Sequence, residues 1–205
     1  MGKLSVTVFA TLDGVIQAPG GPDEDRSGGF EHGGWMVPHF DQTLGTFIDE
    51  VFQRVDAFLL GRTTYEIFAG SWGQAADKGA NSVVSRLNTL PKYVASRSLD
   101  KAEWNNSIVI RDVPTEVAEL KQRVDGELQV HGSAGLIPTL TEHDLVDIYN
   151  IVTAPVFLGT GKRLFPEGPT AGALRLTGSQ TTSTGVVICT YERAGKPTYG
   201  TAEVE

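Results

Sequence analysis

The sequence is poor in cysteine, in basic residues and in long apolar runs. Its single cysteine, Cys189, cannot form an internal disulfide, and its apolar neighbours predict a small buried side chain. The formal net charge of -8 disfavours nucleic acid and anionic membranes, which require clustered lysine and arginine. No apolar run approaches the roughly 20 residues of a membrane helix, and residues 4–12 lack the pattern of a signal peptide. We therefore expect a cytoplasmic protein with no nucleic-acid or membrane partner.

Metal-binding and common phosphate-binding motifs are missing as well. The four histidines are His32, His39, His131 and His143, and they show no metal-ligand spacing. We therefore predict no metal site, and we expect most of the four to lie at the surface or in loops. The segment Gly159-Thr160-Gly161-Lys162 is not a P-loop, because Val156 stands where the leading glycine belongs. It is not a dinucleotide fingerprint either, because Leu164 occupies the third glycine position.

Short apolar segments alternate with helical patterns along most of the chain. Strands are predicted at residues 4–10, 57–60, 93–95, 108–110, 128–130, 145–153, 174–179 and 186–191. Helices are predicted at residues 41–54, 63–69, 113–124 and 134–141. Alternating strands and helices followed by strands alone predict one α/β domain with a mixed sheet over residues 1–194. Residues 195–205 have no apolar pattern and predict a C-terminal tail.

Residues 13–34 form a long segment that is rich in glycine and proline. Such a segment in a compact domain is usually a lid or a binding loop. A disordered insertion is the alternative for residues 19–29. Trp35, Met36 and Phe40 indicate that the end of the segment packs against the domain, with Trp35 either closing a substrate pocket or anchoring the loop.

Three predicted strands end at small or basic residues where a helix can begin. These residues are Gly61, Arg62, Thr63 and Thr64, then Ser96 and Arg97, then Gly132, Ser133, Ala134, Gly135 and Leu136. Backbone N–H groups at such turns favour anions, and arginine is suited to phosphate. Ser96 and Arg97 together fit the 2′-phosphate that distinguishes NADP from NAD. Read singly, the same segments fit a helix cap, a solvated arginine and a tight turn.

Taken together, these segments resemble the dihydrofolate reductase superfamily, in the branch of the C-terminal reductase domain of the bifunctional riboflavin-biosynthesis deaminase–reductase. The matching segments, in family order, are residues 11–14, 60–66, 94–97, 131–136, 145–147 and 154–165. The last is the most distinctive, and the set spans residues 4 to 190. The family's glutamate before the third turn is His131 here, and residues 41–50 lack the basic residues that bind a ribose phosphate. This departure places a phosphoribosyl substrate in doubt.

The resemblance implies a three-layer α/β fold with a mixed, largely parallel eight-stranded sheet flanked by helices. It implies NADPH as cofactor, held by the eleven residues of the three turns, and a homodimer. The implied activity is hydride transfer to a small pyrimidine-like or pterin-like substrate, similar to 5-amino-6-(5-phosphoribosylamino)uracil reductase. Candidate proton donors are Asp13 and Asp49, with Asp41 as an alternative to Asp49, and candidate substrate contacts are Trp35 and Asp41. Dihydrofolate reductase activity and a non-catalytic nucleotide-binding paralogue are the alternatives.

Overall fold

A computed structural model describes residues 2–75, 82–168 and 171–202 of the chain. In chain order the strands are β1 (Lys3–Thr11), β2 (Val55–Gly61), β3 (Lys92–Ala95), β4 (Ser107–Ile110), β5 (Glu127–His131), β6 (Ile148–Ala154), β7 (Leu174–Thr181) and β8 (Val187–Arg193). The helices are α1 (Gln42–Gln53), α2 (Arg62–Ser71), α3 (Val83–Thr89), α4 (Val113–Arg123) and α5 (Ile137–Glu142). Short 3-10 segments lie at Ser27–Gly29 and Val37–His39.

The strands form one eight-stranded sheet in the order β4-β3-β2-β5-β1-β6-β8-β7. Strands β1 to β6 pair in parallel, and β8 joins β6 and β7 by antiparallel pairing. The C-terminal hairpin therefore makes the sheet mixed but mostly parallel, as predicted. Parallel strands need crossover connections. Helices lie in four of the five connections from β1 to β6, and residues 96–106 join β3 to β4 without a helix.

Helices cover both faces of the sheet and give the predicted three layers. On one face α4 and α5 pack against the apolar side chains of β1 and β5, with Leu4, Val6 and Leu128 inaccessible to solvent. On the other face α1 packs against β6 and β8, and α2 and α3 pack against β2 and β3. Because side chains alternate along a strand, β2 contributes to both faces, with Ala57 and Leu59 on one and Phe58 and Leu60 on the other.

Local chemistry explains where the helices begin. The carboxylate of Asp41 accepts a hydrogen bond from Leu44 N at the start of α1, and Asp112 does the same for α4, where Pro114 occupies the first turn. Both helices follow the predicted ranges. In α5 the prediction began too early, at Ala134. A helix from Ala134 would require an N–H from Pro138, so α5 starts only at Ile137.

Two further elements differ from the sequence prediction. Strand β6 begins at Ile148 and not at residue 145, because the preceding Asp147 uses its carboxylate to accept from Leu4 N and to pair with Lys121. Helix α3 was not predicted at all, since its seven residues carry only one fully buried side chain, Leu87. Cys189 is also only partly buried, on β8.

The ends of the proposed domain are partly described. Residues 195–202 form no helix or strand, whereas residues 203–205 of the predicted tail lie outside the described residues. The same holds for residues 1, 76–81 and 169–170 of the predicted domain. Of the helices in the described part of the chain, none has the length and apolarity that a bilayer crossing requires.

Candidate functional site

A large open cavity of about 1810 Å³ lies at the carboxyl ends of the parallel strands. Strands β2, β3 and β5 end in its wall at Gly61, Ala95 and His131. The carboxyl edge of a parallel sheet is where α/β proteins usually bind their ligands, since the loops that leave the strands meet there.

All eleven residues of the three predicted turns line this cavity. We refer to this set as the turn wall: Gly61, Arg62, Thr63, Thr64, Ser96, Arg97, Gly132, Ser133, Ala134, Gly135 and Leu136. Direct hydrogen bonds join its first and third turns: Gly61 N donates to Ser133 Oγ at 3.0 Å, and Ser133 N donates to Thr64 Oγ1 at 3.0 Å. Gly132 and Ser133 both have positive φ, 52° and 64°, which turns the backbone sharply after β5.

The turn wall leaves room and hydrogen-bond donors for an anion. The N-cap of α2 is Gly61, which has no side chain, so within the described part of the chain the first N–H groups of that helix lack a side-chain cap. A Cβ at Gly135 would meet nothing within 4 Å, and one at Gly61 would meet only ordinary contacts beginning at 3.5 Å. The packing of the described residues therefore does not itself require glycine at Gly61 or Gly135.

Arginines border the same wall. Arg62 pairs with Glu66 at 2.7 Å and donates to Ser98 Oγ, which holds its guanidinium at the edge of the cavity. Arg97 is exposed and forms no ion pair with any described residue. Arg111, which the sequence analysis missed, also lines the cavity and donates to Ser96 O. Its position directly after β4 is the signal that would have found it, because β4 lies next to β3 in the sheet.

The opposite side of the cavity is apolar. We call it the apolar wall, and it consists of Phe9 on β1, Met36 and Phe40 before α1, and Ile48, Val51 and Phe52 on α1. The rings of Phe9 and Phe40 lie 5.8 Å apart. The residues of this wall carry no charge.

Thr7 and His131 lie side by side on neighbouring strands and also line the cavity. The expectation of a surface or loop position is wrong for His131, which is buried and stacks on Phe52 with ring centroids 4.7 Å apart. Burial lowers its pKa from 6.5 to about 4, so the ring is neutral at physiological pH. The sequence did hold a signal, since Gln129 and His131 alternate with apolar residues on a central strand.

Asp13 holds the lid, defined here as residues 13–34, against the segment that follows β6. Its carboxylate accepts from Thr11 Oγ1, Leu158 N and Gly159 N, and it pairs with Arg163. The Thr11 hydroxyl and these backbone donors lower the pKa of Asp13 to about 2, against the opposing effect of burial. The structure does not bring this side chain into the cavity lining, because its oxygens are engaged in fixing the lid to the segment after β6.

The other three predicted residues also lie outside the cavity lining. Asp49 is exposed on α1, on a side of the helix away from the cavity. Asp41 caps α1 and accepts from Ser183 N and Oγ; the Leu44 amide and Ser183 lower its pKa. Trp35 is buried, and its indole N–H donates to Gln17 O at 2.8 Å. Of the two roles considered for Trp35, the structure supports that of loop anchor.

The lid contacts the rest of the domain, and residues 16–25 of it line the cavity. The amide of Gln17 donates to Asp25 O and accepts from Lys162 N, which ties the lid to itself and to the segment after β6. Lys162 also pairs with the carboxylate of Asp25 at 2.7 Å. The interpretation of residues 19–29 as a disordered insertion is therefore not supported.

Comparison with known proteins agrees with this architecture. The family model described as the RibD C-terminal domain matches residues 2–188. The uncharacterized protein YyaP of Bacillus subtilis (strain 168) is 27% identical over 199 residues, covering 94% of this chain and 96% of that protein.

Solved structures share the fold at lower identity. A putative riboflavin biosynthesis protein from Shewanella sp. PV-4 superimposes with a TM-score of 0.64 at 20% identity, covering 94% of this chain and 99% of that one. Dihydrofolate reductase from Enterococcus faecalis, complexed with NADP(H) and RAB-propyl, gives 0.59 at 16% identity, covering 94% and 96%. The chain therefore belongs to the RibD C-terminal domain family, a reductase-like domain with the dihydrofolate-reductase-like fold.

Proposed function

We propose that this protein is an NADPH-dependent reductase that transfers a hydride to a small heterocyclic substrate. The observation that carries the proposal is the meeting of three turns, from three strand ends, in one cavity that also has an apolar wall. The complex of the Enterococcus reductase with NADP(H) supports a nicotinamide cofactor for this fold.

The turn wall fits a dinucleotide phosphate. The uncapped N-terminus of α2 and the open backbone at Gly135 would hold the pyrophosphate, and Arg97 and Ser96 would hold the 2′-phosphate. When bound, the cofactor supplies the hydride. The residues of this chain would position it, and the part of the lid that lines the cavity would shield the bound ligands from water on that side.

A non-catalytic nucleotide-binding role is the second candidate. The observation that favours it is the absence of a carboxylate from the apolar wall, where α1 contributes only Ile48, Val51 and Phe52. The same observation counts against dihydrofolate reductase activity, because the resemblance to dihydrofolate reductases leads us to expect an acidic residue on α1 that faces the cavity. A catalyst on this wall would need a proton from ordered water or from one of the lid carboxylates that line the cavity, Asp23, Glu24 and Asp25.

Titration with NADPH and NADH tests the cofactor. Trp72 lines the cavity, so ligand binding should change the intrinsic fluorescence. We expect Arg97→Ala to weaken the binding of NADPH by about 10-fold or more and to leave the binding of NADH nearly unchanged, because only NADPH carries the 2′-phosphate. Arg123→Ala is the matched control, since Arg123 is an exposed arginine on α4, paired with Glu119 away from the cavity.

The outcomes separate the alternatives. Equal losses for both cofactors in Arg97→Ala would refute the 2′-phosphate assignment, and no binding up to about 1 mM would refute both nucleotide functions. Oxidation of bound NADPH by dihydrofolate or by a ribitylaminopyrimidine distinguishes an enzyme from a binder.

We also propose a homodimer in the cytoplasm. Strand β7 is largely exposed at one edge of the sheet, which supports pairing with a second copy. Light scattering during size-exclusion chromatography tests the mass, and cell fractionation tests the location.

A further inference from the structure

A chain of hydrogen bonds on β5 fixes the orientation of the Gln129 amide. Its Nε2 donates to Val51 O at 2.7 Å and to Glu127 Oε1 at 3.0 Å. A backbone carbonyl can only accept, so the NH2 group must point this way. The Oε1 atom of Gln129 therefore faces His131.

This orientation determines which nitrogen of His131 carries the proton. His131 Nε2 lies 3.1 Å from Gln129 Oε1 and must donate to it, because that oxygen has no hydrogen to offer. In the neutral ring the proton then resides on Nε2 and Nδ1 is left as an acceptor. Among the described residues Nδ1 has no hydrogen-bond partner, and His131 lines the cavity.

The surroundings of His131 suit a flat ring without charge. Phe52 stacks on the imidazole, and the apolar wall supplies aromatic and aliphatic contact area. The cations nearest to the lid are already paired, Lys162 with Asp25 and Arg163 with Asp13. An anionic substituent placed against the apolar wall would lose hydration there. Arg97, which has no ion-pair partner in the described part of the chain, belongs to the turn wall, where the cofactor phosphate is proposed to bind.

We propose that His131 is a fixed hydrogen-bond acceptor that recognises an N–H group on an uncharged, planar heteroaromatic substrate. The proposal rests on the proposed function, which it deepens by naming the substrate class and a specificity-determining residue. A site built to pair a substrate N–H discriminates against the analogue that lacks it, because the buried acceptor is then left unpaired.

The first test is the tautomer of His131 in the free protein, which requires no cofactor. With four histidines in the chain, ¹⁵N-histidine labelling gives few signals, and the His131→Gln spectrum assigns the one that disappears. We expect Nε2 to be protonated and Nδ1 unprotonated at neutral pH. The opposite tautomer, or a doubly protonated ring, would overturn the proposal.

The second test uses lumazine, an uncharged pteridine-dione with ring N–H groups, and 1,3-dimethyllumazine, which lacks them. We expect wild-type protein to bind lumazine about 10-fold or more tightly than the dimethyl compound. His131→Leu should reduce this ratio to below about 3-fold. Phe52→Leu, which removes the stacking ring but keeps the acceptor, should weaken both compounds and preserve the ratio.

Three results would contradict the assignment. The first is the lack of saturable lumazine binding up to about 1 mM. The second is equal affinity of the wild-type protein for lumazine and 1,3-dimethyllumazine. The third is tighter binding of lumazine-6-carboxylate than of lumazine. All titrations are run with and without NADPH. Failure of NADPH alone to bind would refute the proposed function, whereas the lumazine ratio and the tautomer test the recognition of the N–H group separately.

Discussion

The burial of His131 makes the free energy of unfolding depend on pH. The size of this dependence follows from the pKa of His131 in the folded protein. The perturbation is a decrease in pH from about 7.5 to about 5. In the folded protein the pKa of His131 is about 4, lowered from 6.5 by burial between Phe52 and Phe58. Between these two values the unfolded chain binds a proton that the folded chain does not, so stability falls as pH falls through this range.

The magnitude comes from the difference between the two pKa values. One unit corresponds to 1.36 kcal/mol, and the contribution lost down to about pH 5 is about 2 kcal/mol. The loss continues down to the folded pKa and then levels off. Above pH 6.5 the ring is neutral in both states and the contribution is fully present.

Urea unfolding at the two pH values, followed by tryptophan fluorescence, measures this loss. Other groups titrate in the same range, including Glu24, whose pKa is raised by burial. The relevant quantity is therefore the difference between wild type and His131→Gln. The variant should lose about 2 kcal/mol less between the two pH values.

His32→Gln is the matched control, because His32 is exposed on the lid and its removal should leave the pH dependence of wild type intact. An identical pH dependence in wild type and His131→Gln would refute the reasoning. It would mean that His131 keeps an ordinary pKa in the folded protein.

The remaining predictions concern the turn wall, the core and the lid. Gly135→Val should leave the melting temperature nearly unchanged, because a Cβ at this position meets nothing within 4 Å. The same substitution should weaken the binding of NADPH by about 10-fold or more. An unchanged affinity would contradict the placement of the pyrophosphate at Gly135. Lys92 is inaccessible to solvent and donates to Leu87 O and Leu90 O, so Lys92→Met should lower the free energy of unfolding by about 2–4 kcal/mol, measured by urea denaturation. A neutral result would show that the two carbonyls find other donors. Asp13→Asn should weaken the contacts that hold the lid, and limited proteolysis should cleave the lid faster than in wild type; equal rates would show that Asp13 is dispensable there.

The meeting of the three turns in one cavity could be predicted because it depends on local rules. Strand ends, small residues and helix starts are visible in the sequence at Gly61 and Gly132. The parallel pairing of β2, β3 and β5 then brings such ends to one edge. The apolar stripe of α1 and the cap at Asp112 before α4 likewise allowed the bounds of these two helices to be predicted closely.

The apolar wall could not be predicted in the same way, because it depends on which face of a strand or helix meets the cavity. Asp49 and Phe52 are only three residues apart on α1, yet only Phe52 lines the cavity. The burial of His131 depends on packing against Phe52 of α1. These elements are far apart in the sequence: Gln129 on β5 and Val51 on α1, which form a hydrogen bond, are 78 residues apart. Composition does not reveal such a contact.

The hydrogen bond between Gln129 and His131 means that the two positions cannot vary independently. An apolar side chain at His131 deprives the buried amide oxygen of its donor, and an apolar side chain at Gln129 frees the imidazole to exchange its proton between nitrogens. A lineage or design that replaces this ring is therefore expected to change the neighbouring amide as well.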